Sequence, residues 1–395
     1  MGKLKYRFGR SVLLLGRNVV LFMSHMANDM IYSSLPPLLP LLAAQRGLSA
    51  AALGVIPAAY MAVASFLQMG VGMLYDKRPT VNYVPLGLLI GGAAIALIGY
   101  LDNYFLLVAC AVIGGVGSAF FHPTATSLSS SSANRSVSVS FFVAGGGIGL
   151  TLGALLSSQM AGQMGLKATT IYLPITMAAA FTALLLLRNN VENKRKAATP
   201  VSKVWSARLL LLLTAAVFRG VLTMSYITYL PLYLSTQGYT VAGAGVILTL
   251  LLLAGAAGMV PAGFLADRFG RLKVVAVLLA LSCLFSILIV NMPAEYVFLP
   301  VAFLGFFAQA VIPLLVAEAH EVLPNNLGLA SALMYGAAIG LSNLAVPVVG
   351  AAIDHWGYRP VFLALSSLPF IGSMLIVKIQ TIRYSFGTVL SGKNE

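Results

Sequence analysis

The stretch Gly263-Phe-Leu-Ala-Asp267-Arg268-Phe-Gly-Arg271-Leu-Lys273 separates two long apolar runs, and a related stretch, Gly72-Met-Leu-Tyr-Asp76-Lys-Arg78, separates two others. In both stretches a glycine precedes an aspartate by four residues, and basic residues follow. The two glycines lie 191 positions apart, and so do the two aspartates. A constant spacing of this kind indicates that the chain contains two parallel repeats.

The composition is that of a membrane protein. Of the 395 residues, 59% are hydrophobic and 9% are charged, and the mean hydropathy is +0.93. A soluble domain carries roughly 25% charged residues. Cys110 and Cys283 both fall in apolar runs, where we expect small buried hydrophobic residues rather than a disulfide or a metal site. The sequence predicts no cofactor.

Twelve apolar segments reach the roughly 20 residues that a helix needs to cross a bilayer. The longest polar connector follows the sixth segment and divides the chain into bundles at 1–188 and 207–395, joined by a linker at 189–206. We therefore predict an all-α membrane protein in which twelve transmembrane helices form two pseudo-symmetric six-helix bundles. The segments are expected at 12–43, 50–74, 81–100, 104–127, 136–160, 168–188, 207–237, 243–265, 272–291, 295–317, 327–352 and 358–378.

The positions of the basic residues predict the orientation. Of the 24 Lys and Arg residues, 19 fall in the terminal tails and alternate connectors on one side, 3 fall on the other, and Arg17 and Arg219 lie within spans. Because positive charge collects on the cytoplasmic side, both termini are expected in the cytoplasm, with the protein in the plasma (inner) membrane. The net charge of +14 then reflects topology, and nucleic acid is not an expected partner.

Polar residues interrupt the first apolar segment in the stretch Met23-Ser-His25-Met-Ala-Asn28-Asp29-Met-Ile-Tyr32. On a helix, His25 and Asp29 are four residues apart and share a face. An ionised group at this depth costs roughly 2.5–3.5 kcal/mol and persists mainly where it faces a water-filled cavity or a protein partner. We expect this helix to line a polar path; the alternative is that these residues only attach it to a neighbouring helix.

Asp29 is the candidate for proton coupling, because a carboxylate in a low-dielectric cavity can carry a proton near neutral pH. A permanent salt bridge with Arg17 or Arg219 is the alternative. His25 and His122 are candidate relay partners, although each could also have a purely structural role. Pro123 should bend the fourth helix beside His122.

Arg219 lies eleven residues past Arg208, which is about 16 Å along a helix and therefore near the midplane. We expect it to contact an anion or the substrate, or to pair with Asp29. Other polar residues within spans are weaker candidates for binding the substrate: Asn28, Tyr32, Gln68, Tyr226, Gln309 and Asn343.

Two further sets of residues suggest packing and gating. Gly145, Gly149 and Gly153 repeat every four residues, which predicts close helix packing. Glu318 falls at the inner end of the tenth span, where a gate residue is expected. The remaining gating candidates belong to the two repeated stretches: Gly72, Asp76, Gly263, Asp267, Arg268 and Arg271.

The stretch from Gly263 to Arg271, together with twelve spans in a six-plus-six repeat, resembles the major facilitator superfamily over the whole chain. The resemblance implies secondary transport by alternating access. It also implies that Gly263 lets helices approach closely and that Asp267 and the arginines after it latch helix ends. In the first repeat Pro79 replaces the second glycine, so that copy is expected to turn differently.

A narrower resemblance is to the fosmidomycin-resistance branch, which exports drugs in exchange for protons. Two departures are visible: Thr124 stands where that branch typically has Glu after His-Pro, and Ala154 stands where antiporters often have Pro. The resemblance is carried by Ser24-His-Met-Ala-Asn-Asp-Met30, Tyr75-Asp-Lys-Arg-Pro79, Gly114-Gly-Val-Gly-Ser-Ala-Phe-Phe-His-Pro123 and Val143-Ala-Gly-Gly-Gly-Ile-Gly149.

The resulting hypothesis is a monomeric, proton-coupled antiporter that exports a small drug-like or anionic compound. A proton-coupled uptake symporter is one alternative, and a transport-inactive membrane receptor or scaffold is another. The sequence contains no Gly-x-Ser-x-Gly, His-Glu-x-x-His or P-loop pattern, so we expect neither an enzyme nor direct drive by ATP.

Overall fold

The computed structural model describes residues 2–77, 81–130, 135–187 and 206–391, and the side chains of 16–75, 81–130, 137–187 and 206–381. Every regular element in these ranges is helical. Three 3-10 turns lie at Pro36–Leu38, Gly165–Ile171 and Ala294–Tyr296, and a π turn lies at Ala332–Ala337. The helices are α1 (Gly2–Ser33), α2 (Leu39–Arg46), α3 (Ala50–Lys77), α4 (Val84–Ile98), α5 (Tyr104–Ser130), α6 (Arg135–Met164), α7 (Tyr172–Leu186), α8 (Ala207–Thr236), α9 (Val241–Phe269), α10 (Arg271–Ile289), α11 (Phe298–Val322), α12 (Leu327–Ser331), α13 (Ala338–Trp356) and α14 (Tyr358–Ser391).

Within the described residues, nine helical stretches are long and apolar enough to cross a membrane, and Val84–Ile98 is a shorter apolar helix. One of the nine, Val137–Leu186, covers most of both the fifth and the sixth predicted spans. Large apolar side chains lie exposed along these helices, as Leu253, Val260 and Phe264 do on α9. A lipid environment requires this kind of surface. The all-α membrane fold predicted from the sequence is confirmed.

The first predicted span, 12–43, is wrong in its second part. Helix α1 ends at Ser33, and a 3-10 turn separates it from α2. Pro36 and Pro37 form this turn because neither has the N–H that an α-helix would need there. Helix α2 ends at Arg46 and is capped by Gly47, whose φ of 63° favours glycine.

The spacing of 191 holds for elements as well as for the loop motif. Ala50 and Val241, which begin α3 and α9, are 191 residues apart, and Ile98 and Ile289, which end α4 and α10, are also 191 apart. The ends of α5 and α11 differ by 192. These ends place corresponding positions about 191 residues apart over much of the stretch from α3 to α5 and its counterpart from α9 to α11.

The described residues group into two compact units: the first contains α1–α7 together with Leu234–Thr249, and the second contains the rest of α8–α14. In the first unit α1 packs against α6, and α3 and α4 pack against α5. In the second unit α10 packs against α11 and α14. The predicted linker at 189–206 lies almost wholly outside the described residues, so the predicted boundaries stay a prediction.

The loop between α9 and α10 turns at Gly270, whose φ is 92°. Proline cannot adopt this conformation, because its ring holds φ near −65°. Pro79 occupies the corresponding position of the first repeat and lies outside the described residues. The different turn expected there stays a prediction.

Candidate functional site

The first polar cluster begins on α1, where Asp29 and His25 lie one helical turn apart as the sequence predicted. His25 Nε2 is 3.3 Å from Asp29 Oδ2. His25 is 8% exposed, and the Asp29 side chain is 16% exposed. The two groups therefore form a largely buried pair that a proton can bridge.

The backbone of α6 orients His25. Its Nδ1 lies 2.8 Å from the carbonyl oxygen of Phe142, and the two rings stack with centroids 4.0 Å apart. A carbonyl oxygen only accepts, so Nδ1 carries the hydrogen. Nε2 is then the nitrogen that gains or loses a proton beside Asp29.

His122 joins the cluster from α5. Its Nε2 lies 3.7 Å from Asp29 Oδ1, and its ring meets the His25 ring edge-on at 5.2 Å between centroids. Pro123 follows it within the helix and removes one backbone hydrogen bond. The structure thus brings His25, Asp29 and His122 together, with their ligand atoms all within 4.8 Å of one another. This spacing suits a shared proton, and it is also short enough for a divalent metal ion.

Asn28 completes the cluster as a donor. Its Nδ2 donates to Asp29 Oδ1 at 2.9 Å and lies 3.4 Å from Ser118 Oγ and 3.3 Å from His122 Nε2. An amide nitrogen has two hydrogens, so these three acceptors compete for it. Asn28 is 1% exposed, and its own Oδ1 is buried without a partner among the described residues.

Gly146 belongs to the site, although the sequence did not single it out. A Cβ at this position would lie 2.6 Å from His25 Cε1 and 2.7 Å from Asp29 Oδ2. The neighbouring stripe of Gly145, Gly149 and Gly153 packs directly against the backbone of α1. The close helix packing predicted from this stripe is confirmed, and Gly146 is the residue that leaves room for the acid and the histidine.

Two other candidates of the first half lie on or near α3. The Tyr32 ring lies 5.4 Å from the ring of Tyr60, a buried residue of α3 that the sequence did not point to. Gly114 on α5 makes room for the Tyr60 ring. The sequence feature that could have pointed to Tyr60 is this run of glycines, which allows a large side chain of a neighbouring helix to approach α5. Gln68 is half-buried on α3, and within the described side chains no hydrogen bond joins it to the cluster.

The second polar cluster lies on α8 and α11. Arg219 is 3% exposed, and its Nη1 donates to Gln309 Oε1 at 2.9 Å and to the Ala308 carbonyl at 3.4 Å. Arg219 is 191 residues from Asn28, and Gln309 is 191 residues from Ser118. The Arg219–Gln309 contact is therefore the counterpart of the Asn28–Ser118 contact in the first repeat.

Two candidates of the second half face other partners. Tyr226 is fully buried and donates to the Ser286 carbonyl at 3.1 Å, on α10. Asn343 is 1% exposed, and its Nδ2 donates to Ile339, one turn earlier in its own helix. Neither contact joins these residues to Arg219, so their predicted binding role stays a prediction.

A third charged cluster lies where α8 and α10 begin and α11 ends. Glu318, which is 2% exposed, accepts from Arg208 Nη2 at 2.5 Å and from Arg271 Nη1 at 3.2 Å. Arg271 also pairs with the more exposed Glu321 at 2.8 Å. The structure thus joins two of the predicted gating residues, Glu318 and Arg271.

The other gating candidates show fewer contacts. Within the described side chains, Asp267 and Arg268 form no salt bridge, and Arg268 lies over the Phe269 ring at 5.3 Å. The Asp76 side chain lies outside the described residues. At Gly263 a Cβ would meet no atom of the described chain within 4 Å, so the close approach expected there stays a prediction. At Gly72 a Cβ would lie 3.8 Å from the Pro123 Cβ, an ordinary contact.

Solved structures with the same fold are transporters. A mutant form of the nucleoside transporter NupG aligns with a TM-score of 0.78 and 13% identity, covering 92% of this chain and 99% of its own. A bacterial homologue of the human lysosomal transporter Spinster, inward-facing and occupied, aligns with a TM-score of 0.72 and 15% identity, covering 94% and 97%. At these identities the likeness shows the fold alone.

Two curated relatives span nearly the whole chain. The fosmidomycin resistance protein of Escherichia coli (strain K12) is 26% identical over 369 residues, which is 90% of either chain. The uncharacterized MFS-type transporter YfnC of Bacillus subtilis (strain 168) is 24% identical over 385 residues, covering 92% of this chain and 93% of its own.

The family comparison covers both halves of the chain. The Major Facilitator Superfamily model matches residues 21–248 and 235–385. This match includes the polar clusters on α1, α5, α8 and α11. It confirms the resemblance drawn from the loop motif and the repeat, and it agrees with a transporter rather than an enzyme. The chain is a multi-pass membrane transporter and belongs to the Major Facilitator Superfamily.

Proposed function

We propose that this protein is a secondary active transporter that exports a small drug-like or anionic compound in exchange for protons, by alternating access. The observation that carries the proposal is the position of Asp29. Its carboxylate lies on α1, largely buried, and its ion-pair partners are His25 and His122. Each of these three groups can gain or lose a proton.

The partners favour a coupling role over a permanent salt bridge. Arginine stays charged at every physiological pH, whereas histidine changes charge near neutrality. In the structure the Arg17 guanidinium donates to the Leu128 carbonyl at 2.7 Å. Asp29 is thus held by groups whose charge can change near neutrality, and the ion pair is lost when the carboxylate gains a proton or the histidine gives one up.

The export direction is supported by the relative whose name refers to fosmidomycin resistance. A membrane transporter can confer resistance by carrying a compound out of the cell, and the proton gradient of a bacterial inner membrane can drive this exit. We infer that the chain works in such a membrane as a monomer. Both termini would be cytoplasmic, because 19 of its 24 basic residues fall on one side.

The test uses proteoliposomes with an acidic lumen. Fosmidomycin is the first compound to try, followed by hits from a thermal-shift screen. An antiporter that exchanges one neutral molecule for one proton accumulates its substrate about tenfold per pH unit, since both correspond to about 1.4 kcal/mol. Asp29→Asn should abolish this accumulation while the protein stays folded. A chelator in the buffer keeps trace metal ions away from the histidines.

The control is Asp102→Asn. Asp102 pairs with Arg46, and its side chain is 79% exposed, so this variant should transport like the wild type. Expulsion of the substrate from the acidic lumen would show symport and contradict antiport. If the protein binds the compound without gradient-driven flux, and Asp29→Asn binds it equally well, a transport-inactive receptor or scaffold is favoured.

A further inference from the structure

We propose that Arg219, oriented by Gln309, binds the oxyanion group of the transported compound, a carboxylate or phosphoryl group that takes two parallel hydrogen bonds from one edge of the guanidinium. The inference rests on the proposed transport function and adds the chemical class of the substrate. It follows from three features of Arg219: its depth, its unused donors and its fixed orientation.

The depth of Arg219 is the first feature. It lies twelve residues from the start of α8 and seventeen from its end, and it is 3% exposed. A charged side chain at this position is costly and persists where it serves a partner or a ligand. Within the described part of the chain no carboxylate lies within 4 Å of it. The charge therefore has no salt-bridge partner among the described residues, and the anion that would neutralise it is a ligand.

The second feature is which nitrogens are occupied. Both hydrogen bonds that the guanidinium makes to described residues leave from Nη1. Nε is buried and has no hydrogen-bond partner among those residues. A buried donor left in this state costs about 1–3 kcal/mol, which an acceptor recovers. Nε and Nη2 form the edge on which arginine holds a carboxylate or phosphate with two parallel bonds.

The third feature is the support of the guanidinium by its neighbours. Gln309 accepts from Nη1, and Gly255 on α9 makes room for this glutamine, since a Cβ there would lie 2.6 Å from Gln309 Cγ. Thr223, one turn later on α8, donates its hydroxyl hydrogen to the backbone carbonyl of Arg219 at 2.9 Å, so this hydrogen is not offered to a ligand. The guanidinium plane is thus fixed before a ligand arrives, which reduces the entropy lost on binding.

The repeat relates this site to the one in the first half. Asn28, the register partner of Arg219, lies beside the acid Asp29, whereas the residue after Arg219 is Gly220. The first repeat therefore carries the acid that exchanges protons, and the second carries a permanent cation. A permanent cation suits a substrate that is itself negatively charged.

The experiment measures binding to purified protein at pH 8. The probes are benzoate, phenylphosphonate and benzamide, of which benzamide has nearly the shape of benzoate but no charge. Wild type should show a rise in melting temperature with both anions and none with benzamide. Arg219→Gln should lose the response. Arg219→Lys should bind the anions at least tenfold more weakly, because lysine keeps the charge but has no two-donor edge.

The matched control is Arg359→Lys. Arg359 also donates to an amide oxygen, that of Asn291 at 2.9 Å, but it is exposed, so the variant should bind like the wild type. Equal responses to benzoate and benzamide in the wild type would overturn the proposal without relying on any variant. Wild-type affinity in Arg219→Lys would also overturn it.

Two outcomes separate this proposal from proton coupling. Asp29→Asn should still bind benzoate, although it no longer accumulates substrate in response to a pH gradient. If wild type couples flux to protons but no anion binds, the oxyanion site is wrong and the transport mechanism stands. If anions bind through Arg219 but no pH gradient drives flux, the oxyanion site stands and the proton-coupled mechanism is wrong.

Discussion

Among single residues, Glu318 is the acid of the second half whose loss should weaken folding most. It is 2% exposed and accepts from both Arg208 and Arg271. We expect Glu318→Gln to lower the free energy of unfolding by about 2–3 kcal/mol. This is less than the 3–5 kcal/mol typical of a fully buried pair, because both arginines are partly exposed and keep Glu321. Chemical denaturation in detergent measures the loss.

The control for this prediction is Glu321→Gln. Glu321 binds the same two arginines, but its side chain is 43% exposed. Exposed ion pairs contribute about 0–1 kcal/mol, so this variant should unfold almost like the wild type. Equal losses in both variants would contradict a special role for the buried acid.

Residue-level contacts were predictable from sequence only where they are local. The His25–Asp29 pair follows from a spacing of four on one helix. The partners that orient it do not, because the Phe142 carbonyl lies 117 residues from His25 and Ser118 lies 90 residues from Asn28. The spacing of 191 would have linked Gln309 to Arg219 once Ser118 was known to contact Asn28.

At the level of helices, the packing of α6 on α1 gives a matched pair of glycine substitutions. Gly149 packs against the Met26 backbone, whereas a Cβ at Gly147 meets no atom of the described chain within 4 Å. Gly149→Ala should therefore cost about 1–3 kcal/mol, because the helices must separate. Gly147→Ala should be neutral or stabilise by up to about 1 kcal/mol, because alanine favours helix.

Thermal unfolding of the two variants, side by side with the wild type, tests this contrast. The same loss at both positions would mean that helix packing does not distinguish them. If both variants were as stable as the wild type, the interface between α1 and α6 would be loose enough to accept a methyl group at Gly149.

Most helices were predictable from apolar length, since a chain in lipid must satisfy its backbone hydrogen bonds within each helix. The exception was the first span, where apolar side chains continue through the break at Pro36 and Pro37. Hydropathy does not register a missing N–H, so the prediction continued to residue 43 while α1 ends at Ser33. The sequence showed the stripe of glycines on α6, but it did not show that α1 is the helix against which this stripe packs.

For the whole molecule, the two proposals together predict how much charge moves in each cycle. Export of a monovalent anion against entry of one proton carries two positive charges inward. At about 2.3 kcal/mol per charge per 100 mV, the membrane potential then contributes about 4.6 kcal/mol per 100 mV. Reversal potentials in proteoliposomes clamped with potassium and valinomycin measure this charge directly.

A neutral isostere of the same substrate should move one charge, and its comparison with the anion serves as the control. A cycle that moves no net charge with the anion would rule out this combination of proton entry and anion exit. The membrane potential would then have no influence on export.

The constant register of 191 also bears on how the chain arose. If the two halves descend from one duplicated ancestor, neither copy has undergone a net insertion or deletion across α3 and α4 or their counterparts. At the same spacing, Asn28 on α1 and Arg219 on α8 illustrate divergence by exchange of a side chain. One copy of this helix then came to carry an acid and the other an arginine without any change in the length of the ancestral segment.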